Sequence, residues 1–134
     1  MTSTSTLSLV GQELPAWELP ITPTLVVSTA IATRDFQDVH HDRDLAQSYG
    51  SQDIFLNILT TTGLVERYLT DYVGEAYDVG SINVRLGAPA YPYDTLVFTG
   101  EVSAIDGDEV HVSVVGAVSL GAHVTALVLL RRRR

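Results

Sequence analysis

Cysteine is absent from the 134 residues. Its absence excludes disulfides, iron–sulfur clusters, cysteine-ligated zinc and a thiol nucleophile. Lysine is absent as well, so all eight basic residues are arginine. Charged residues make up only 18% of the chain, against about 25% in a typical domain. So little charge implies that part of the surface is covered by another subunit. No apolar run approaches the roughly 20 residues a membrane helix needs. The first eight residues, Met1 to Ser8, carry neither a basic region nor an apolar core of the kind a signal peptide requires. These absences point to a soluble, cytoplasmic chain. The sequence has no G-x-S-x-G for a serine hydrolase and no G-x-G-x-x-G for a nucleotide phosphate.

What is present is a largely apolar chain, 46% hydrophobic, long enough to bury a core without staples. Four of the arginines are the last four residues, Arg131 to Arg134, leaving sixteen acids against four arginines in the body. Such a body repels nucleic acid and anionic membrane surfaces. The Arg tail reads as frayed and solvated. The expected organisation is a disordered leader over 1–8, one domain over 9–130 and the basic tail over 131–134.

The hydrophobic pattern predicts the elements. Residues 9–23, with Pro15, Pro20 and Pro23, read as an extended lead-in. The β-branched run Leu25 to Thr33 predicts a first strand. Asp42 caps a short helix that runs to about Tyr49 and closes at Gly50. One long helix is expected over Ile54–Val73, apolar nearly all round in its first turns and therefore buried, with Gly74 ending it. Four alternating strands follow, around Ile82–Leu86, Leu96–Val102, Val110–Val114 and Val124–Leu130. Short turns between them make an antiparallel meander. A helix buried all round requires a sheet curled about it, and dimerisation covers what remains.

The polar loop Asp35 to Asp44 carries the candidate chemistry. Asp35 and His40 stand in a D-x4-H spacing. An imidazole titrates near neutral pH, and a carboxylate beside it can orient the ring or a water. The bland alternative is a solvated, helix-capping loop. Asp35, Asp38, His40, His41, Asp42 and Asp44 are also of metal-ligand type, but no second ligand group converges on them, so no metal or other cofactor is expected. His111 and His123 sit among the polar positions of late strands and read as surface or interface residues. Trp17 and Tyr91 to Tyr93 read as packing residues.

The stretch ATRDFQDVHHDRDLAQSYG resembles the signature of MaoC-like (R)-specific enoyl-CoA hydratases, with Asp35, His40, Asp42 and Ala46 at matching places. The stretch INVRLGAPAYPYDTLVFTGEV resembles the family's second conserved segment. Gln37, Asp38 and Arg43 depart from the usual Asn and two prolines. Within the family, ATRDFQDVHHDRD, DIFLNILTTTGLVERY and the brevity of the chain are similar to the small single-domain subunit of two-subunit hydratases of bacterial steroid side-chain degradation. The resemblance implies the hot-dog fold: α+β, a five-stranded antiparallel sheet wrapped around one long helix. It implies addition of water to a trans-2-enoyl thioester of coenzyme A, activated by Asp35 and His40. It places the oxyanion donor at the backbone N–H of Asn57, where the family commonly has glycine. Arg85, the internal strand arginine near the second segment, is the candidate substrate-binding cation on charge grounds. The resemblance also implies a second MaoC-like subunit, and the acidic body suggests that this subunit supplies the cations for coenzyme A. Two other readings stay open: a non-catalytic subunit supporting a catalytic partner, and a thioesterase or acyl-carrier dehydratase.

Overall fold

A computed structural model describes residues 6–134. In chain order the elements are β1 (Glu13–Pro20), α1 (Pro23–Ala32), a 3-10 turn (Asp38–His40), α2 (Arg43–Ser48), α3 (Ile58–Val73) and a second 3-10 turn (Gly74–Ala76). Then come β2 (Tyr77–Leu86), β3 (Thr95–Asp106), β4 (Glu109–Val118) and β5 (Gly121–Arg132). The five strands form one antiparallel sheet in the order β1-β3-β4-β5-β2.

The four late strands form as the alternation predicts. Leu96, Phe98 and Val102 of β3, Val110, Val112 and Val114 of β4, and Val124, Val128 and Leu130 of β5 are all buried. The first strand does not lie where it was expected. Leu25 to Ala32 belongs to helix α1, with Thr33 as its C-cap, and the strand is the proline-bearing segment before it. Thr22 caps α1 by accepting from the Leu25 amide at 3.0 Å, and Pro23 occupies the first turn, where a missing N–H costs nothing. Only Val26 and Ala30 of α1 are fully buried, an i, i+4 pair that suits a helix and not a strand. β1 tolerates Pro15 and Pro20 because it is an edge strand, with an irregular register between Leu14 and Trp17.

Helix α3 begins at Ile58, four residues later than expected, and buries one face rather than its whole circumference. Thr60, Thr61, Leu64, Val65, Tyr68, Leu69 and Val73 face inward, whereas Ile58 and Leu59 are about half exposed, at 48% and 54%. The helix crosses the sheet on aromatic contacts. Tyr68 stacks on Phe98 with centroids 5.7 Å apart, and Trp17 stacks on Phe98 at 5.4 Å. Gly100 makes room for this: a Cβ there would lie 3.1 Å from the Tyr68 ring.

Both chain ends depart from the expected picture. Of the leader, Met1 to Ser5 lie outside the described residues, but Leu7 is fully buried and its N–H donates to the Tyr77 hydroxyl at 3.1 Å. The Arg tail is engaged, not frayed. Arg131 pairs with Glu109 at 3.0 Å, Arg133 with Asp78 at 2.6 Å, and Arg134 with Asp108. The Arg132 guanidinium lies over the Tyr77 ring at 5.7 Å and reaches the Leu7 carbonyl at 3.4 Å. The two ends of the chain therefore meet on Tyr77. No helix among the described residues is long and apolar enough to cross a membrane.

Candidate functional site

The structure brings Asp35 and His40 together: the Asp35 Oδ2 lies 3.4 Å from the His40 Nε2. Each is placed by backbone geometry. After α1, Arg34 takes the left-handed conformation, with φ of 59°. Its N–H donates to the Ile31 carbonyl at 3.0 Å, and the Asp35 N–H donates to the Ala30 carbonyl at 2.9 Å. This crossed pair of bonds ends the helix in a Schellman turn and fixes Asp35 just past it. The 3-10 turn then carries the chain to His40, and Asp42 caps α2 by accepting from the Leu45 amide at 3.1 Å. The Phe55 N–H donates to the Val39 carbonyl at 3.1 Å, which presses residues 54–57 against the loop.

His40 is 6% exposed, and its Nδ1 lies 2.7 Å from the Phe55 carbonyl oxygen. A carbonyl can only accept, so Nδ1 carries a hydrogen and the neutral ring presents Nε2 as a lone pair. The Phe55 ring meets the imidazole edge-on with centroids 5.0 Å apart and fixes its plane. Opposite Nε2 stands a carboxylate, which when ionised also only accepts. With the ring neutral, two acceptors 3.4 Å apart have no hydrogen between them to share. A water that donates one hydrogen to each satisfies both. The arrangement can therefore hold and deprotonate one water.

Asn57 is the N-cap residue of α3 and is 1% exposed. The Phe55 carbonyl that holds His40 lies two residues before it. Its side chain makes no capping bond. The first N–H groups of a helix have no partner within the helix, and they form its electropositive end. A developing oxyanion suits that position.

Arg85 is not brought to the pair. It stands exposed on β2, in a shallow groove with Asn83, Thr125 and Leu127. Another groove, lined by Glu13, Ala16, Thr99, Glu101 and Val115, contains none of the four candidate residues. His41 reaches only Asp38, at 3.9 Å. His123 is also misplaced by the alternation: it is 2% exposed, not a surface residue. Its Nδ1 donates to the Ala88 carbonyl at 2.8 Å, and its Nε2 accepts from the Thr61 hydroxyl at 2.8 Å. Burial holds its pKa below the usual histidine value. Spacing gave no signal for the parts played by the Phe55 carbonyl or Thr61, because one is backbone and the other is one of three consecutive threonines.

A family model described as MaoC like domain matches residues 6–123. The chain is 56% identical over 127 residues to the 3-oxo-4,17-pregnadiene-20-carboxyl-CoA hydratase beta subunit of Mycobacterium tuberculosis, covering 95% of this chain and 98% of that one. A crystal structure of the ChsH1-ChsH2 complex from Mycobacterium tuberculosis contains a chain 56% identical to this one, superposing with a TM-score of 0.92 over 95% of this chain and 100% of that chain. An (R)-hydratase from A. caviae involved in PHA biosynthesis superposes at a TM-score of 0.86 with 16% identity, over 96% of this chain and 100% of that chain, a likeness of fold. The architecture is the hot-dog fold.

Proposed function

The chain belongs to the MaoC-like domain family, and from that premise we propose that it is the subunit of an enoyl-CoA hydratase that carries the water-activating pair. The observation that carries the reading is the approach of two acceptors, Asp35 Oδ2 and His40 Nε2, with the imidazole tautomer set by the Phe55 carbonyl. The water bound between them attacks C3 of a trans-2-enoyl thioester. As its oxygen bonds to C3, its proton passes to His40 Nε2, and the new imidazolium stands beside the Asp35 carboxylate. The π electrons of the C2=C3 bond move towards the thioester oxygen. The Asn57 N–H, at the positive end of α3, receives that charge. Return of the proton to C2 leaves a 3-hydroxyacyl thioester and restores the pair. General acid–base action of this kind contributes about 10²–10⁴ in rate, and one oxyanion donor about 10²–10³.

The acyl group proposed is a bulky steroid side chain, supported by the identity to a hydratase subunit named for a pregnadiene carboxyl-CoA. A second MaoC-like subunit is proposed to complete the site, supported by the two-protein complex in which the similar chain was solved. Charge supports the same reading. Arg43, Arg67, Arg131, Arg133 and Arg134 pair with carboxylates, and Arg132 lies on Tyr77. Among the described residues this leaves Arg34 and Arg85 for the phosphates of coenzyme A. An anion with several charges needs cations from another chain.

The test is the mass of a steroid enoyl-CoA after incubation with this chain and its co-purified subunit. Gain of one water with the thioester intact is expected from the native complex. Asp35→Asn and His40→Ala should each remove the gain. Free thiol would make the protein a thioesterase. Full hydration by both variants would make this chain a support for a site on the other subunit.

A further inference from the structure

An asparagine at a helix N-cap ordinarily turns its side-chain oxygen back onto the second or third amide of the helix. Asn57 does not. Its Nδ2 donates instead to the Thr33 hydroxyl at 2.8 Å, and its Oδ1 is buried without a hydrogen-bond partner among the described residues. The Thr33 hydroxyl passes its own hydrogen to the Thr29 carbonyl at 2.8 Å. Thr33 is the C-cap of α1, two residues before Asp35.

These bonds close a ring. Asp35 faces His40; His40 donates to the Phe55 carbonyl; Phe55 leads through Leu56 to Asn57; Asn57 bonds Thr33; and Thr33 leads through Arg34 back to Asp35. The Leu56 N–H is held from outside the ring by the Ala90 carbonyl at 3.1 Å. Only one bond in the ring joins the α1 end to the α3 start through two side chains, and that is Asn57–Thr33. It also keeps the Asn57 oxygen off the first-turn amides, which a capping oxygen would occupy in competition with a substrate oxygen.

We propose that Asn57 and Thr33 are positioning residues that set the Asp35–His40 pair at a fixed distance from the amide of Asn57. The inference rests on the hydration reading above and names the parts that hold its two halves in register. A glycine at position 57 leaves the backbone N–H in place but cannot make the tie. Misplacement by about 1 Å can cost roughly 100-fold in rate.

The experiment uses the full chain in complex with its co-purified subunit and the same enoyl-CoA. Asn57→Ala and Thr33→Val should each lower kcat by about 10- to 100-fold, with KM within about twofold. The double variant should fall no further than the worse single, because both remove one bond. Thr33→Ser keeps the hydroxyl and should return kcat to near the native value. Circular dichroism melts of each complex fix a working temperature at which all are folded. If Asn57→Ala does not fold, the Thr33→Val and Thr33→Ser pair decides alone. Native kcat in Thr33→Val, a multiplied loss in the double variant, or a loss in Thr33→Ser equal to that in Thr33→Val overturns the proposal. Asp35→Asn, run alongside, separates the two levels. If it is inactive while the Thr33 and Asn57 variants run at the native rate, the positioning role fails and the hydration reading stands. If Asp35→Asn is fully active, both fail together.

Discussion

His40 and His123 are bound alike at one ring nitrogen and differently at the other. Each is almost fully buried, and each donates from Nδ1 to a backbone carbonyl, Phe55 at 2.7 Å and Ala88 at 2.8 Å. Each neutral ring therefore presents Nε2 as an acceptor. At His123 the Thr61 hydroxyl fills that acceptor. At His40 the nearest group is the Asp35 carboxylate, which cannot. One imidazole is a finished strut between α3 and the segment after β2. The other, when neutral, is left one hydrogen short. Burial alone does not distinguish the two histidines; the partner of the second nitrogen does.

Truncating both positions gives the largest contrast. His40→Ala should lower turnover by about 10²–10⁴. His123→Ala should leave turnover within a few-fold at a temperature where the complex is folded, but lower the stability of the fold by about 2 kcal/mol or more. That variant strands the Ala88 carbonyl and the Thr61 hydroxyl in the interior. Thermal melts and hydration rates on the same preparations check both. A dead His123→Ala complex with a native melt would erase the distinction.

The two histidines were not equally legible in the sequence. Asp35 and His40 were legible through the resemblance of their loop to a family signature more than through the D-x4-H spacing, which a solvated capping loop also explains; the two side chains do meet at 3.4 Å. The Asp42 cap and the closing glycines were legible for local reasons: Gly50 and Gly74 have φ of 94° and 63°, where a side chain is strained. His123 was misread because alternation put it with Thr125 on the polar side. The register of β4 and β5 shifts between Gly116 and Ala117, beside it, so that His123 and Val124 are both buried. The covering segment comes close enough that a Cβ on Gly87 would lie 2.4 Å from the Ala122 carbonyl. Helix α1 was misread because β-branched residues outweighed the Thr22-Pro23 start signal, and tertiary packing decides such runs. The start of α3 was misplaced because residues 54–57 spend their backbone groups on Val39, Ala90 and His40, contacts that no local pattern reports.

Acid should act on the strut in a defined window. Burial lowers the pKa of His123 in the folded chain, so the unfolded chain takes up a proton first as pH falls. The stability held by the neutral ring is complete above the ordinary histidine value, about 6.5. It declines as pH drops below that value and levels off once the folded ring is also protonated. Melting temperature should therefore fall between about pH 7 and 5 in the native complex. The slope should be shallower in His123→Ala. Equal slopes would assign the acid sensitivity to other groups. The lowered carboxyl of Asp94, held by the Ser119 hydroxyl, loses its contribution only below the usual carboxylate range and so stays outside the window.

The smallest effect tests the comparison most directly, by making His123 resemble His40. Thr61→Val removes the donor to Nε2 and keeps the shape. The buried ring then has one unfilled acceptor, and stability should fall by about 1 kcal/mol, a few degrees in a chain of this size. The hydroxyl donates to the neutral ring and, rotated, accepts from the protonated one, so its loss removes a partner from both forms. Desolvation by burial still lowers the pKa of His123. Native and Thr61→Val melting temperatures should therefore differ across the whole range from about pH 8 to pH 5. Curves that coincide across the whole range would show that Thr61 contributes packing only. In that case the second nitrogen of His123 is no better satisfied than that of His40, and the difference between the two sites rests on Asp35 by itself.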